Sequence, residues 1–188
     1  MRQKYRSLFN LMKRIVTIAF VLILFSLAAS SQSKPKDVLG WEGSRWGMSA
    51  EDISKLFGSR AERVPSIEVY GDWYYLYTVP VSLKGQTYTA ILLMDYATAK
   101  LVRVDIRLDQ YKSPMPREDV FNALDAMLTQ QYGQPDSKKD ENKTDQRRNG
   151  RTWKFPTSTV ELWLYWDNDN HQDSNVGISY YPTPVLKP

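Results

Sequence analysis

The sequence predicts an α+β fold of two αβββ units, each an antiparallel meander sheet covered by one helix. Two segments have helical apolar spacing, near Ala50 to Phe57 and over Val120 to Tyr132. Each is closed by a glycine, Gly58 or Gly133, and each is followed by three strand-like stretches. That recurrence points to a duplicated structural unit. The expected organisation is a signal peptide over 1–30, a linker over 31–40, a first unit over 41–110 and a second over 111–188.

The first helix has a full set of start and stop signals. Ser49 is placed to accept the amide hydrogen of Asp52 while Asp52 reaches back, Met48 can staple onto Ile53, and Gly58 ends the run. Strands are expected near 72–81, 86–95 and 100–109, with turns at Lys84-Gly85 and Ala97-Thr98-Ala99. The third alternates cleanly, with Val102, Val104, Ile106 and Leu108 toward a core and Arg103, Asp105, Arg107 and Asp109 toward water. The second helix starts at Ser113 and two prolines and carries the stripe Val120, Phe121, Leu124, Met127, Leu128 and Tyr132. Asp136 to Gly150 has charges of both signs and no apolar residue, so it reads as a solvated, mobile loop. Strands near 151–155, 159–167 and 175–181 complete the pattern. A helix buries one face of each meander, and the two meanders can join edge to edge or face to face.

Composition narrows the function classes. With 42% hydrophobic and 13% aromatic residues over 188 positions, the chain can bury a core large enough to offset its ordering entropy. The formal charge of +4 is misleading, because Arg2, Lys4, Arg6, Lys13 and Arg14 all precede the apolar run. From Ser31 onward 20 basic residues face 21 acidic ones, which leaves no field for phosphate backbones and argues against a nucleic-acid partner.

The N-terminus has the three-part layout of a signal peptide: a basic stretch to Arg14, the apolar run Ile15 to Phe25, and small residues around Ala28 and Ser30. Cleavage is expected after Ser30. The apolar stretch Ile15 to Ala29 is shorter than the roughly 20 residues a spanning helix needs. A periplasmic or secreted location without a stable membrane anchor follows. The absence of cysteine excludes lipid anchoring, disulfides and thiol chemistry.

The opener Trp46-Gly47-Met48-Ser49 with Glu51, Asp52 and Ile53, together with Leu128 to Pro135, resembles a pattern of poorly characterised bacterial secreted proteins. The helix-plus-meander order is similar in outline to β-lactamase inhibitory protein, and the glycine-stopped first helix to the SmpA/OmlA assembly lipoproteins. This chain lacks the cysteines of both, so no functional residue is carried over. At the level of shape the resemblance implies an exported module whose exposed sheet binds another macromolecule.

Candidate chemistry is sparse. One histidine, His171, and no cysteine cannot build a histidine-rich zinc site or a Cys–His pair, and no metal or cofactor is expected. A Ser–His–Asp triad would need His171, which lies in the polar hairpin Asp167 to Asn175. That hairpin offers Asp167, Asp169 and Asp173 as calcium ligands, but Gln172 and Ile178 stand where an EF-hand needs glycine and glutamate. The row Arg103, Asp105, Arg107 and Asp109 fits cross-strand ion pairing on a wet face.

Aromatic residues give the stronger lead. Trp73, Tyr75 and Tyr77 alternate on one strand and Trp163 and Tyr165 on another, while Tyr74, Leu76, Leu162, Leu164 and Trp166 occupy the opposite faces. A sheet with a helix on one side needs only one apolar face, so the second is buried between the halves or offered to a partner. Burial is the first expectation. If exposed, Trp73, Tyr75, Tyr77, Trp163 and Tyr165 suit a protein or a cell-envelope glycan. The expected function is therefore a non-enzymatic binding protein. The alternative is a glycan hydrolase using paired carboxylates, whose spacing is a tertiary property.

Overall fold

The computed structural model describes residues 34–109, 113, 115–142, 146–167 and 175–184, with the backbone alone for 142, 146–148, 166 and 167. The leader, the Ser113-proximal prolines apart from Pro116, and the loop holding His171 lie outside the described residues.

Helix α1 spans Ala50–Phe57. Its capping box forms in both directions: the Ser49 hydroxyl accepts the Asp52 amide at 3.2 Å and the Asp52 carboxylate accepts the Ser49 amide at 2.9 Å. Ile53 and Phe57, one turn apart, are the buried positions, and Gly58 ends the helix at φ 55°. The preceding opener is a clasp. Gly47 donates to the Leu101 carbonyl, Leu101 donates to that of Met48, and the Trp46 indole donates to Ser158 at 2.8 Å, reaching the other half of the chain.

A short 3₁₀ turn, Gly58–Arg60, leads to two two-residue strands, β1 (Glu62–Arg63) and β2 (Val69–Tyr70). The meander β3 (Trp73–Leu83), β4 (Gln86–Asp95) and β5 (Leu101–Leu108) follows. Helix α2 (Arg117–Tyr132) comes next and stops at Gly133, φ 79°. Four strands then follow, not the expected three: β6 (Ser137–Asn142), β7 (Gln146–Lys154), β8 (Ser158–Asp167) and β9 (Asn175–Pro182).

The architecture is α+β, with one antiparallel sheet in the order β1-β3-β4-β5-β9-β8-β7-β6 and β2 paired to β3. The two meanders meet edge to edge: β5 pairs with β9 through Val104↔Tyr180 and Ile106↔Ile178. Because the halves lie side by side in one sheet, nothing among the described residues is sandwiched between them. The expectation of an aromatic face buried between the halves is therefore overturned.

One sheet face carries the core. Ala90, Leu92, Val104, Ile106, Ile178, Val160 and Leu162 are all essentially inaccessible there. Helix α2 packs on β8 and β9 with Val120, Phe121, Leu124, Leu128 and Tyr132. Trp153 of β7 is fully buried and its indole donates to the Gly133 carbonyl at 2.8 Å, tying the helix end to the sheet.

Residues 137–142 and 146–150 correct the expectation of a mobile loop, since β6 pairs antiparallel with the first part of β7 there. An edge strand wetted on its outer side needs no apolar stripe, and its cohesion comes from ladder bonds and paired charges. Arg151 contacts Asp140 at 2.7 Å and Asp125 of α2 at 3.0 Å. The same charges discourage another chain from adding to this edge. The segment before α1 is also tethered: Lys34 pairs with Asp136, and the Asp37 carboxylate accepts the amide and hydroxyl of Thr157 at 3.1 and 3.0 Å.

Tyr88 reports on this core. It is 1% exposed between Val81 and Leu108, and burial pushes its hydroxyl up to about 12. A raised folded value means the unfolded chain loses this proton first. The corresponding stability is intact below pH 10 and is lost as pH climbs from there toward about 12. Phenolate absorbance should show Tyr88 ionising only as the fold opens, in a late transition that coincides with unfolding. A single transition covering every tyrosine would contradict the packing.

Candidate functional site

Register decides which aromatics share a face. Trp73 lies opposite Asp95 and Tyr75 opposite Leu93, but Tyr77 lies opposite Leu92, so a bulge inserts Leu76. An inserted residue reverses the side of everything beyond it. Tyr77 therefore turns to the helix side and packs on the core, and Leu76 is buried with it. Tyr77 leaves the expected aromatic set. Alternation places Trp73, Tyr75, Trp163 and Tyr165 on the opposite, open side. Leu162 and Leu164 face the core, as α2 requires.

Among the described residues no helix covers the open side. Trp73 is 39% exposed, while Tyr75, Trp163 and Tyr165 are half-buried by neighbours on their own face. Tyr70 of β2 stacks on Tyr75 with ring centres 4.7 Å apart.

The middle of this face corrects a second expectation. Asp105 does not meet water; it is 4% exposed. Its carboxylate accepts Arg103 at 2.7 Å, Arg107 at 3.4 Å and the Ser179 hydroxyl at 2.7 Å. The ion pairs run along β5, between residues two apart on one face, and the cross-strand partner is a serine of β9. Aromatic rings close over the cluster. The Arg103 guanidinium lies 5.6 Å from the Trp73 ring centre and 5.3 Å from that of Tyr181. Arg107 lies 5.8 Å from the Tyr75 ring centre and donates to the Tyr75 hydroxyl at 3.1 Å. The Trp163 indole donates to Ser179 at 3.0 Å. A carboxylate with three donors is an anchor that fixes two arginines beneath aromatic rings, and both arginines keep part of their surface in solvent.

Two glycines flank Trp163 in one cross-strand row, Gly177 on β9 and Gly150 on β7. The indole lies over Gly177, where a Cβ would come within 2.5 Å of the ring and 2.6 Å of the Ile106 carbonyl oxygen. Over Gly150 the space stays open. A pocket of about 330 Å³ is lined there by Lys139, Gly150, Glu161, Trp163 and Tyr165.

A larger cavity of about 590 Å³ lies on the helix side, between the tethered N-terminal segment and α2. Its wall includes Tyr132 and Tyr180, whose hydroxyls lie 3.4 Å apart; burial holds both above the ordinary tyrosine range.

Residue reading missed the Asp105 network, Ser179, Tyr181 and the paired glycines. A usable signal existed in β9, where Gly177 and Ser179 alternate with Val176, Ile178 and Tyr180 and so leave low relief on the open side. Two acids of that side, Asp105 and Glu161, flank Ser179 in one row, and Glu161 accepts the Tyr181 hydroxyl at 3.4 Å. Compared with known proteins, the chain matches no family model, no curated protein and no solved structure.

Proposed function

We propose that this chain is an exported, non-enzymatic binding protein, built as two helix-plus-meander units, that holds a protein or glycan of the cell envelope on the open side of its sheet. The observation that carries the reading is the sheet side without a helix, where Trp73, Tyr75, Trp163 and Tyr165 surround the Asp105-anchored arginines. Aromatic rings and arginine supply large contact area at low entropic cost and dominate recognition surfaces. Asp105 is committed to three donors, which suits a scaffold better than proton transfer. The basic, apolar and small-residue layout before Gln32 supports export and removal of the leader.

The test is co-sedimentation of the processed protein with purified peptidoglycan sacculi and, separately, with reconstituted envelope proteins. Wild-type protein should be retained by one of them. Trp73→Ala should weaken retention by about tenfold, equivalent to about 1.4 kcal/mol, without a matching loss of stability. Equal retention of the variant, or none of the wild type, would remove the reading.

A further inference from the structure

Glycine inside a strand weakens it through backbone entropy and the lack of a side chain to pack, so each such glycine needs a reason. Gly177 has one in the indole and carbonyl that crowd it. Gly150 has none in the fold. It sits in mid-strand between Trp163 and Lys139, outside the left-handed backbone region. A Cβ there would make only ordinary contacts, 3.8 Å to the Lys139 Cβ and 3.9 Å to the Leu162 carbonyl oxygen. What the missing side chain does leave is a hollow. Trp163 is drawn toward β9 by its bond to Ser179, so the indole forms a wall and leaves Gly150 uncovered as a floor.

We infer that this hollow is a saccharide subsite, in which one pyranose ring lies on Gly150 between Trp163 and Tyr165. The inference rests on the open-face binding reading and names its ligand class. Three features select a sugar. The volume of about 330 Å³ falls at the low end of ligand pockets, about 300–1,000 Å³, and suits a ring rather than a folded surface. The walls are aromatic, and the C–H face of a pyranose is the apolar surface that packs on such rings. Lys139 and Glu161 provide one donor and one acceptor head at the wall, and a polyhydroxylated ligand can use both. Both heads are available at small cost. Among the described residues Lys139 pairs with Glu141 at the surface at 3.1 Å, and Glu161 accepts one long bond from Tyr181.

The experiment titrates the processed protein with cellotetraose and with chitotetraose, followed by indole fluorescence and by calorimetry, with inorganic phosphate as the control anion. At least one tetrasaccharide should saturate in the millimolar range, and phosphate should not. Gly150→Val fills the floor and should weaken that binding by at least about tenfold, with melting unchanged or raised because a β-branched residue replaces glycine in a strand. Should the valine variant misfold, Gly150→Ala and Glu161→Gln carry the same comparison, and each should weaken binding. Failure of both sugars to saturate, or wild-type affinity in a folded Gly150→Val protein, overturns the subsite. The outcomes separate the two readings. Trp73-dependent envelope retention without sugar binding removes the subsite alone. Sugar binding lost in Gly150→Val without envelope retention keeps the subsite and removes the broader surface.

Discussion

Gly177→Ala is expected to destabilise the protein by about 3 kcal/mol, the upper end of what overpacking costs. The added methyl would stand 2.5 Å from the Trp163 ring and 2.6 Å from the Ile106 carbonyl oxygen. The indole could swing away only by giving up its bond to Ser179. The carbonyl cannot move without spreading β5 from β9, the strand pair that joins the two meanders. For a domain of this size the loss corresponds to a fall in Tm of about 6–12 °C. Thermal and urea unfolding of the pure variant would measure it. A change within about 0.5 kcal/mol, the range of neutral surface substitutions, would mean that the indole does not lie where it is described.

Asp105→Ala should cost about 2–3 kcal/mol. Breaking a fully buried ion pair by removing one partner costs about 3–5 kcal/mol, and the two arginines here keep 24% and 37% of their side-chain surface in solvent, which reduces the penalty. The loss has a direction that can be checked. Asp105→Asn preserves an acceptor for Ser179 and should fall between wild type and alanine. Raising salt should narrow the gap little, because a covered carboxylate is poorly screened. Urea unfolding at low and high salt reads both effects. An alanine variant as stable as wild type would show that the arginines are satisfied by solvent and that the network is incidental.

The elements whose signals are local were legible in the sequence. The Ser49–Asp52 box, the glycine stops and the stripe on α2 each depend on residues a few positions apart, and the structure shows all three. The long strands were legible for the same reason. What escaped depends on pairing. The bulge at Leu76 follows from how β3 meets β4, and it alone moves Tyr77 to the helix side. The burial of Asp105 depends on Ser179, 74 residues away, and on rings brought from β3, β8 and β9. The β6–β7 hairpin has no apolar period because an edge strand does not require one, so charge density resembled a loop. Of the five aromatic residues expected to form a surface, four share one, and the ground between them is charged rather than apolar.

The place of β9 has a further consequence. It is the last strand in chain order among the described residues, yet it lies in the interior of the sheet between β5 and β8. A nascent, stalled or clipped chain ending before Asn175 would leave two raw edges where the finished protein has none, and such edges recruit strands from other molecules. Only a polypeptide that includes β9 can zip the halves together, and products ending before it should be insoluble or quickly degraded.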